Sequence, residues 1–215
     1  MKKKHMLLAL VIVFSAAVIF AVGTALAGSD PFRTGVIFRD ASAKPESASA
    51  SRDDIAATYK EQAITWAEVQ YARDTASMYS GDYPTDDRSI VDRLIRGKIL
   101  VELAEERGAA ATDDEIQELI ENQKIAYSIP DGKAIIDEYC EGLGIDFDGY
   151  LDILSAQAYD TISMQKMRNL ITQDICARYG VEYSTGNLPQ YVNEAVADYL
   201  DSLVGRYRKY VKYYF

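Results

Sequence analysis

Ile64-Thr65-Trp66-Ala67-Glu68, Asp92-Arg93-Leu94-Ile95-Arg96-Gly97-Lys98-Ile99-Leu100-Val101-Glu102-Leu103-Ala104-Glu105-Glu106-Arg107-Gly108, Thr112-Asp113-Asp114-Glu115-Ile116 and Gly149-Tyr150-Leu151-Asp152-Ile153-Leu154 are the stretches on which the fold turns. Thr65 and Glu68 have the spacing of a capping box, in which the hydroxyl accepts a backbone N–H and the carboxylate reaches back. A helix is expected from Trp66 to Ser80, broken by Gly81-Asp82-Tyr83-Pro84. Asp86 or Asp87 caps the next helix, in which Ile90, Val91, Leu94, Ile95, Ile99, Leu103 and Ala104 recur at helical spacing and Gly108 is the stop. Gly97 lies inside it, where glycine costs about 1 kcal/mol relative to Ala, so a closely approaching neighbour helix is expected there.

Working outward, Thr112 and Glu115 form a second capping box, opening a helix that ends near Ser128 before Pro130. A short helix over 132–141 precedes the break Gly142-Leu143-Gly144. Asp146 or Asp148 caps a long helix extending to Tyr179, its apolar face including Leu151, Leu154, Ala158, Ile162, Leu170, Ile171 and Ile175. Asn187 caps the last helix, with Pro189 in its first turn. There Leu188, Val192, Val196, Tyr199, Leu203, Tyr207, Tyr210 and Tyr214 alternate steps of three and four, which reads as one amphipathic helix of about seven turns. The expectation is an all-α domain over 55–215, closed by that long C-terminal helix.

Lys2, Lys3 and Lys4 precede an uncharged apolar run from Met6 to Ala27, and cations before such a run keep that end cytoplasmic. Its length suits a bilayer-crossing helix of roughly 20 residues better than a signal-peptide core of roughly 7 to 15. A retained anchor is therefore expected, with the domain extracytoplasmic. Ala25-Leu26-Ala27 is also an A-x-A cleavage signal, so secretion after cleavage is the alternative. Residues 28–54 are rich in Ser, Ala, Lys and Asp with few large apolar side chains outside 32–38, a composition expected to form a flexible spacer. Within it, Val36-Ile37-Phe38 is read as a short strand or sticky patch.

The 215 residues carry 23 basic and 33 acidic side chains, net −10. Beyond the apolar run 20 basic residues face the same 33 acidic ones, or −13. Nucleic acid is a poor partner for such a surface, because binding it needs a basic face that displaces counterions. The only histidine is His5, ahead of the apolar run, so a nucleophile–histidine set outside the membrane has no base. Cys140 and Cys176 are either two buried thiols or a disulfide, and cannot hold zinc unaided. Asp146-Phe147-Asp148-Gly149 begins like a calcium loop but lacks the remaining ligands, so it reads as a helix cap. No catalytic residue, cofactor or metal site is expected.

In their order and spacing, the four opening stretches resemble the N-terminal module of SurA-type and PrsA-type extracytoplasmic foldases, chaperones for exported polypeptides. The resemblance runs from Ile64 to Leu170. It implies a SurA N-like cradle for unfolded segments, built from N-terminal helices and one C-terminal helix, with a parvulin-type prolyl isomerase domain between them. Here the long helix passes through Val181 to Gly186 into the last helix, which leaves no room for that domain. At Tyr59 to Ala63 the family has a short extended segment and a turn. Here that turn is Lys60-Glu61-Gln62 without the usual Asn-Gly, which counts against a strand.

The expectation is a non-enzymatic, membrane-tethered protein that binds unfolded or exported polypeptides. A scaffold subunit with one dedicated protein partner is the alternative. Sixteen tyrosines and one tryptophan offer large contact area at low entropic cost. Trp66, Tyr71, Tyr79, Tyr150, Tyr199 and Tyr207 are the candidate client contacts, unless these rings serve to pack the helices. The segment 206–215, rich in Arg, Lys and Tyr, is the one basic aromatic cluster, expected to meet the acidic body of its own domain, with lipid headgroups or an acidic partner as alternatives.

Overall fold

The computed structural model describes residues 31–42, 54–76, 86–184 and 187–215. Among these, seven α-helices and a small three-stranded antiparallel sheet follow one another as α1 (Pro31–Ser42), β1 (Ile55–Tyr59), β2 (Gln62–Thr65), α2 (Trp66–Ala76), α3 (Asp87–Glu106), α4 (Asp113–Tyr127), α5 (Pro130–Leu143), α6 (Phe147–Tyr179), α7 (Gln190–Arg206) and β3 (Val211–Tyr213). The fold is mostly helical, and the sheet corrects the all-α expectation. The apolar run Met6 to Ala27 lies outside the described residues, as does Tyr79. Among those described, no helix is long and apolar enough to cross a membrane.

The residues fall into two compact units. The first holds 31–42, 70–76 and 113–158, and the second holds 54–69, 86–112, 159–184 and 187–215. In the first unit α1 packs against α5, so part of the stretch read as a spacer is helical, including the Val36-Ile37-Phe38 segment. Two glycines permit that packing. A methyl at Gly35 would lie 2.2 Å from the Tyr139 carbonyl oxygen, and one at Gly142 would lie 2.1 Å from the Phe32 carbonyl oxygen. The low apolar content of 28–54 hid this helix, because its contact depends on missing side chains more than on large ones. α5 begins at Pro130, where a missing N–H costs nothing, and ends on Gly144 in the left-handed conformation. Asp146 Oδ1 accepts from the Gly149 N–H at 2.9 Å, so this stretch is the helix cap its sequence indicates, with Asp146 as the capping residue.

In the second unit the strand order is β2-β1-β3. The β1–β2 hairpin pairs Tyr59 with Gln62 and Ala57 with Ile64, with a bulge between Ile55 and Ala57. Its turn works without Asn-Gly because Lys60 itself takes a positive φ of 52°. Two contacts hold Lys60 there: its N–H donates to the Tyr210 carbonyl at 2.8 Å and its Nζ lies 2.5 Å from Glu102 Oε1. The capping box forms as its spacing predicts. The Glu68 N–H donates to Thr65 Oγ1 at 3.2 Å, and the Thr65 N–H donates to Glu68 Oε2 at 2.7 Å. Thr65→Ala is expected to cost about 0.5–2 kcal/mol, read as a lowered urea midpoint at unchanged slope. An unchanged midpoint would show that this cap does not hold the strand-to-helix junction.

α3 is capped by Asp86, whose Oδ1 accepts from the Ser89 N–H at 2.9 Å. Its expected apolar stripe is buried except at Leu94, which is half-buried. A methyl at Gly97 would come 3.3 Å from Met164 Sδ of α6, the close neighbour its interior position implies. Beyond Gly108 the chain is pinned to α6: Ser163 Oγ accepts from the Ala111 N–H, and Lys166 Nζ donates to the Ala110 carbonyl, each at 2.9 Å. Met167, Ile171 and Ile175 of α6 complete the buried face together with Val192 and Leu203 of α7. α7 also meets α3, where Arg96 pairs with Asp201 at 2.5 Å.

The last helix is shorter than its periodicity suggests. It starts at Gln190 with Pro189 as a cap that makes no side-chain bond, in place of Asn187, and ends at Arg206. A 3-10 turn over Arg208–Tyr210 then leads into β3. The unpaired edge of β1 explains the change: β3 takes the ladder there, pairing Ala57 with Tyr213 and Tyr59 with Val211. Val211-Lys212-Tyr213 also has the alternation and the β-branched and aromatic content of a strand.

Candidate functional site

The tail lies at the outer edge of the sheet, and backbone geometry fixes which groups it presents. The Lys60 N–H reaches the Tyr210 carbonyl, and the Tyr214 N–H reaches the Ala56 carbonyl at 3.0 Å. Antiparallel pairs alternate between bonded and non-bonded, so 210, 212 and 214 direct their backbone groups toward β1. Val211 and Tyr213 direct theirs outward. The Val211 N–H closes the 3-10 turn on the Arg208 carbonyl. The Tyr213 N–H and carbonyl have no partner among the described residues.

Aromatic rings and cations clothe this edge. Two guanidinium groups lie over the Tyr213 ring, with Arg88 Cζ 3.4 Å and Arg208 Cζ 4.7 Å from its centroid. Its hydroxyl donates to Asp92, and burial together with that carboxylate pushes its pKa up to about 12. Lys209 Nζ lies 4.6 Å from the Tyr210 ring, and Arg206 Cζ 4.4 Å from the Tyr199 ring. Trp66 and Phe215 meet with centroids 5.3 Å apart. Tyr210, Tyr214 and Phe215 remain exposed.

The expected meeting of the basic tail with acidic side chains takes a different form. Arg206, Arg208, Lys209 and Lys212 make no ion pair among the described residues. Tyr213, a phenol, makes the carboxylate contact, while three of the cations rest on rings. A cation over a ring face keeps much of its hydration, which suits an exposed edge better than a desolvated ion pair.

The five described candidate contacts divide between the two units. Trp66, Tyr199 and Tyr207 belong to the second unit, and Tyr71 and Tyr150 to the first. Trp66, Tyr71, Tyr150, Tyr199 and Tyr207 are all half-buried. Tyr150 is largely a packing residue. Its hydroxyl donates to Gln123 Oε1 at 3.2 Å, its ring meets Tyr139 and Phe147, and burial pushes its pKa up to about 12. Tyr207 packs edge-on against the fully buried Tyr59, and burial followed by nearby Glu106 and Glu102 raises its pKa. Trp66 reaches the exposed edge through Phe215. Sequence reading passed over Tyr213, Phe215 and Lys212 as edge residues, because tyrosines spaced three and four apart continued a helical pattern.

Other chemistry is sparse. Cys140 and Cys176 are free, buried thiols, and burial pushes the Cys140 pKa up to about 11, away from nucleophilic use. Among the described residues no group of three His, Cys, Asp or Glu side chains is placed to hold a metal ion. A cleft lined by Arg107, Ile171, Asp174, Ile175, Arg178 and Tyr199 has a volume of about 20 Å³, far below the roughly 300–1,000 Å³ of small-molecule sites. Compared with known proteins, the chain matches no family model, no curated protein and no solved structure.

Proposed function

We propose that this chain is a chaperone-like protein that binds unfolded or exported polypeptides, a SurA N-like module without an isomerase, held outside the cytoplasm by Met6 to Ala27. It is not an enzyme in this reading. The observation that carries the proposal is the tail: a strand edge with outward backbone groups, cations that make no ion pair among the described residues, and the exposed rings of Tyr210, Tyr214 and Phe215. Mobile, non-native chains offer free backbone groups and apolar side chains, and such an edge recognises both. The series of capped helices from Thr65 to Asp146, with a hairpin ahead of the first, supports the family likeness from which the reading started.

Suppression of aggregation by the purified full-length chain tests the proposal on several unrelated unfolded proteins. The chain must not be trimmed to residue 51 for this, since α1 packs against α5. Protection of most substrates at near-stoichiometric chaperone is the expected result. Protection of none, together with a single stable co-purifying protein, would replace the chaperone by a scaffold with one dedicated partner. Measurable prolyl isomerisation would overturn the non-enzymatic reading.

A further inference from the structure

We infer that the outer edge of β3 docks an extended, acidic polypeptide segment, one that alternates carboxylates with apolar or aromatic side chains. This rests on the polypeptide-binding reading above and names the segment and the site. The Tyr213 N–H and carbonyl point away from β1 at the end of the sheet order, so they offer a strand-adding peptide a pair of backbone bonds. Successive side chains of such a peptide fall on opposite faces. On one face they meet the Tyr213 and Phe215 rings, and on the other they meet exposed Lys212.

Charge selects the acidic segment. The chain is net −10, yet Arg208, Lys209 and Lys212 lie together at this edge without a carboxylate partner among the described residues. Opposite charges across adjacent strands stabilise pairing, and like charges oppose it. A second copy of the same edge is therefore a poor occupant, because it would bring these cations together. An anionic lipid surface would satisfy the cations but presents no regular row of donors and acceptors to the Tyr213 backbone. A peptide strand satisfies both.

Fluorescence anisotropy of a short labelled peptide alternating Glu with Val and Tyr, titrated with the full-length chain, tests the inference. Binding is expected to weaken about ten-fold or more when Lys replaces Glu in the peptide, when Pro is placed at its centre, or when the chain carries Lys212→Glu. The first two changes leave the protein untouched, so misfolding cannot mimic them. Equal binding of the Glu and Lys peptides, or of the Pro peptide, would overturn the inference. So would binding to phosphatidylserine vesicles that Lys212→Glu abolishes while the Glu peptide goes unbound. If the peptide fails but aggregation is still suppressed, the edge assignment alone falls. If both fail, the polypeptide-binding reading falls with it.

Discussion

Gly142→Ala is expected to cost about 3 kcal/mol or more, because the added methyl meets backbone that has nowhere to move. It would lie 2.1 Å from the Phe32 carbonyl oxygen, 2.9 Å from Gly35 Cα and 2.9 Å from the Val36 nitrogen. A flexible side chain could swing aside; a helix backbone can only be pushed away whole. The expected outcome is release of α1 from α5, seen as fast amide exchange over 31–42 and a lower denaturation midpoint. Exchange in α3 and α7 of the second unit should change little. Wild-type protection over 31–42 in the variant would contradict the close crossing of α1 and α5. Gly35→Ala should behave alike, since its methyl would lie 2.2 Å from the Tyr139 carbonyl oxygen.

Glu102→Ala is expected to cost about 1–3 kcal/mol, through the fully buried Tyr59 hydroxyl that it leaves without an acceptor. Tyr59 donates to Glu102 Oε2 at 2.8 Å, and Lys60 Nζ lies on Oε1 at 2.5 Å. Removing both partners avoids the orphaned hydroxyl, so Tyr59→Phe with Glu102→Ala should cost less than the sum of the single changes. Strict additivity would show that the pair is not coupled. Burial alone would raise the Glu102 pKa, but hydrogen bonds from Lys60 and Tyr59 and the Lys60 charge outweigh it and hold the carboxyl below its ordinary 4.5. A carboxyl with a lowered folded pKa contributes stability that is fully present above the unfolded value. That contribution disappears as pH falls through the folded value. Glu102→Gln should accordingly flatten the loss of stability below about pH 4.5.

Local chemistry was legible and long-range pairing was not. Thr65 with Glu68, Asp86 with Ser89 and Asp146 with Gly149 are contacts between residues three apart, so spacing predicts a cap at each place, although it left Asp86 against Asp87 and Asp146 against Asp148 open. Gly97 is of the same kind: its helical position demanded a neighbour, and Met164 is there. The hairpin was obscured because Lys60 adopts a backbone conformation that other turns assign to Asn or Gly, aided by contacts to Tyr210 and Glu102 that lie far away in sequence. β3 was obscured for a related reason. Tyr207, Tyr210 and Tyr214 fit a helical stripe until the open edge of β1 is available to compete for them. α1 depends on two glycines 107 positions apart, and no local pattern announces such a crossing. As for the site, Trp66 and Tyr207 were singled out for their aromatic character alone, while Tyr213 and Lys212 became significant only through their register.

The most direct test of polypeptide binding is to titrate the full-length chain with one labelled protein held in two forms, native and permanently unfolded by reduction and alkylation of its cysteines. The account predicts binding of the unfolded form at least about ten-fold tighter, since only an unfolded chain presents free backbone edges and apolar side chains together. Equal affinity for the two forms, or no binding of either, would contradict it.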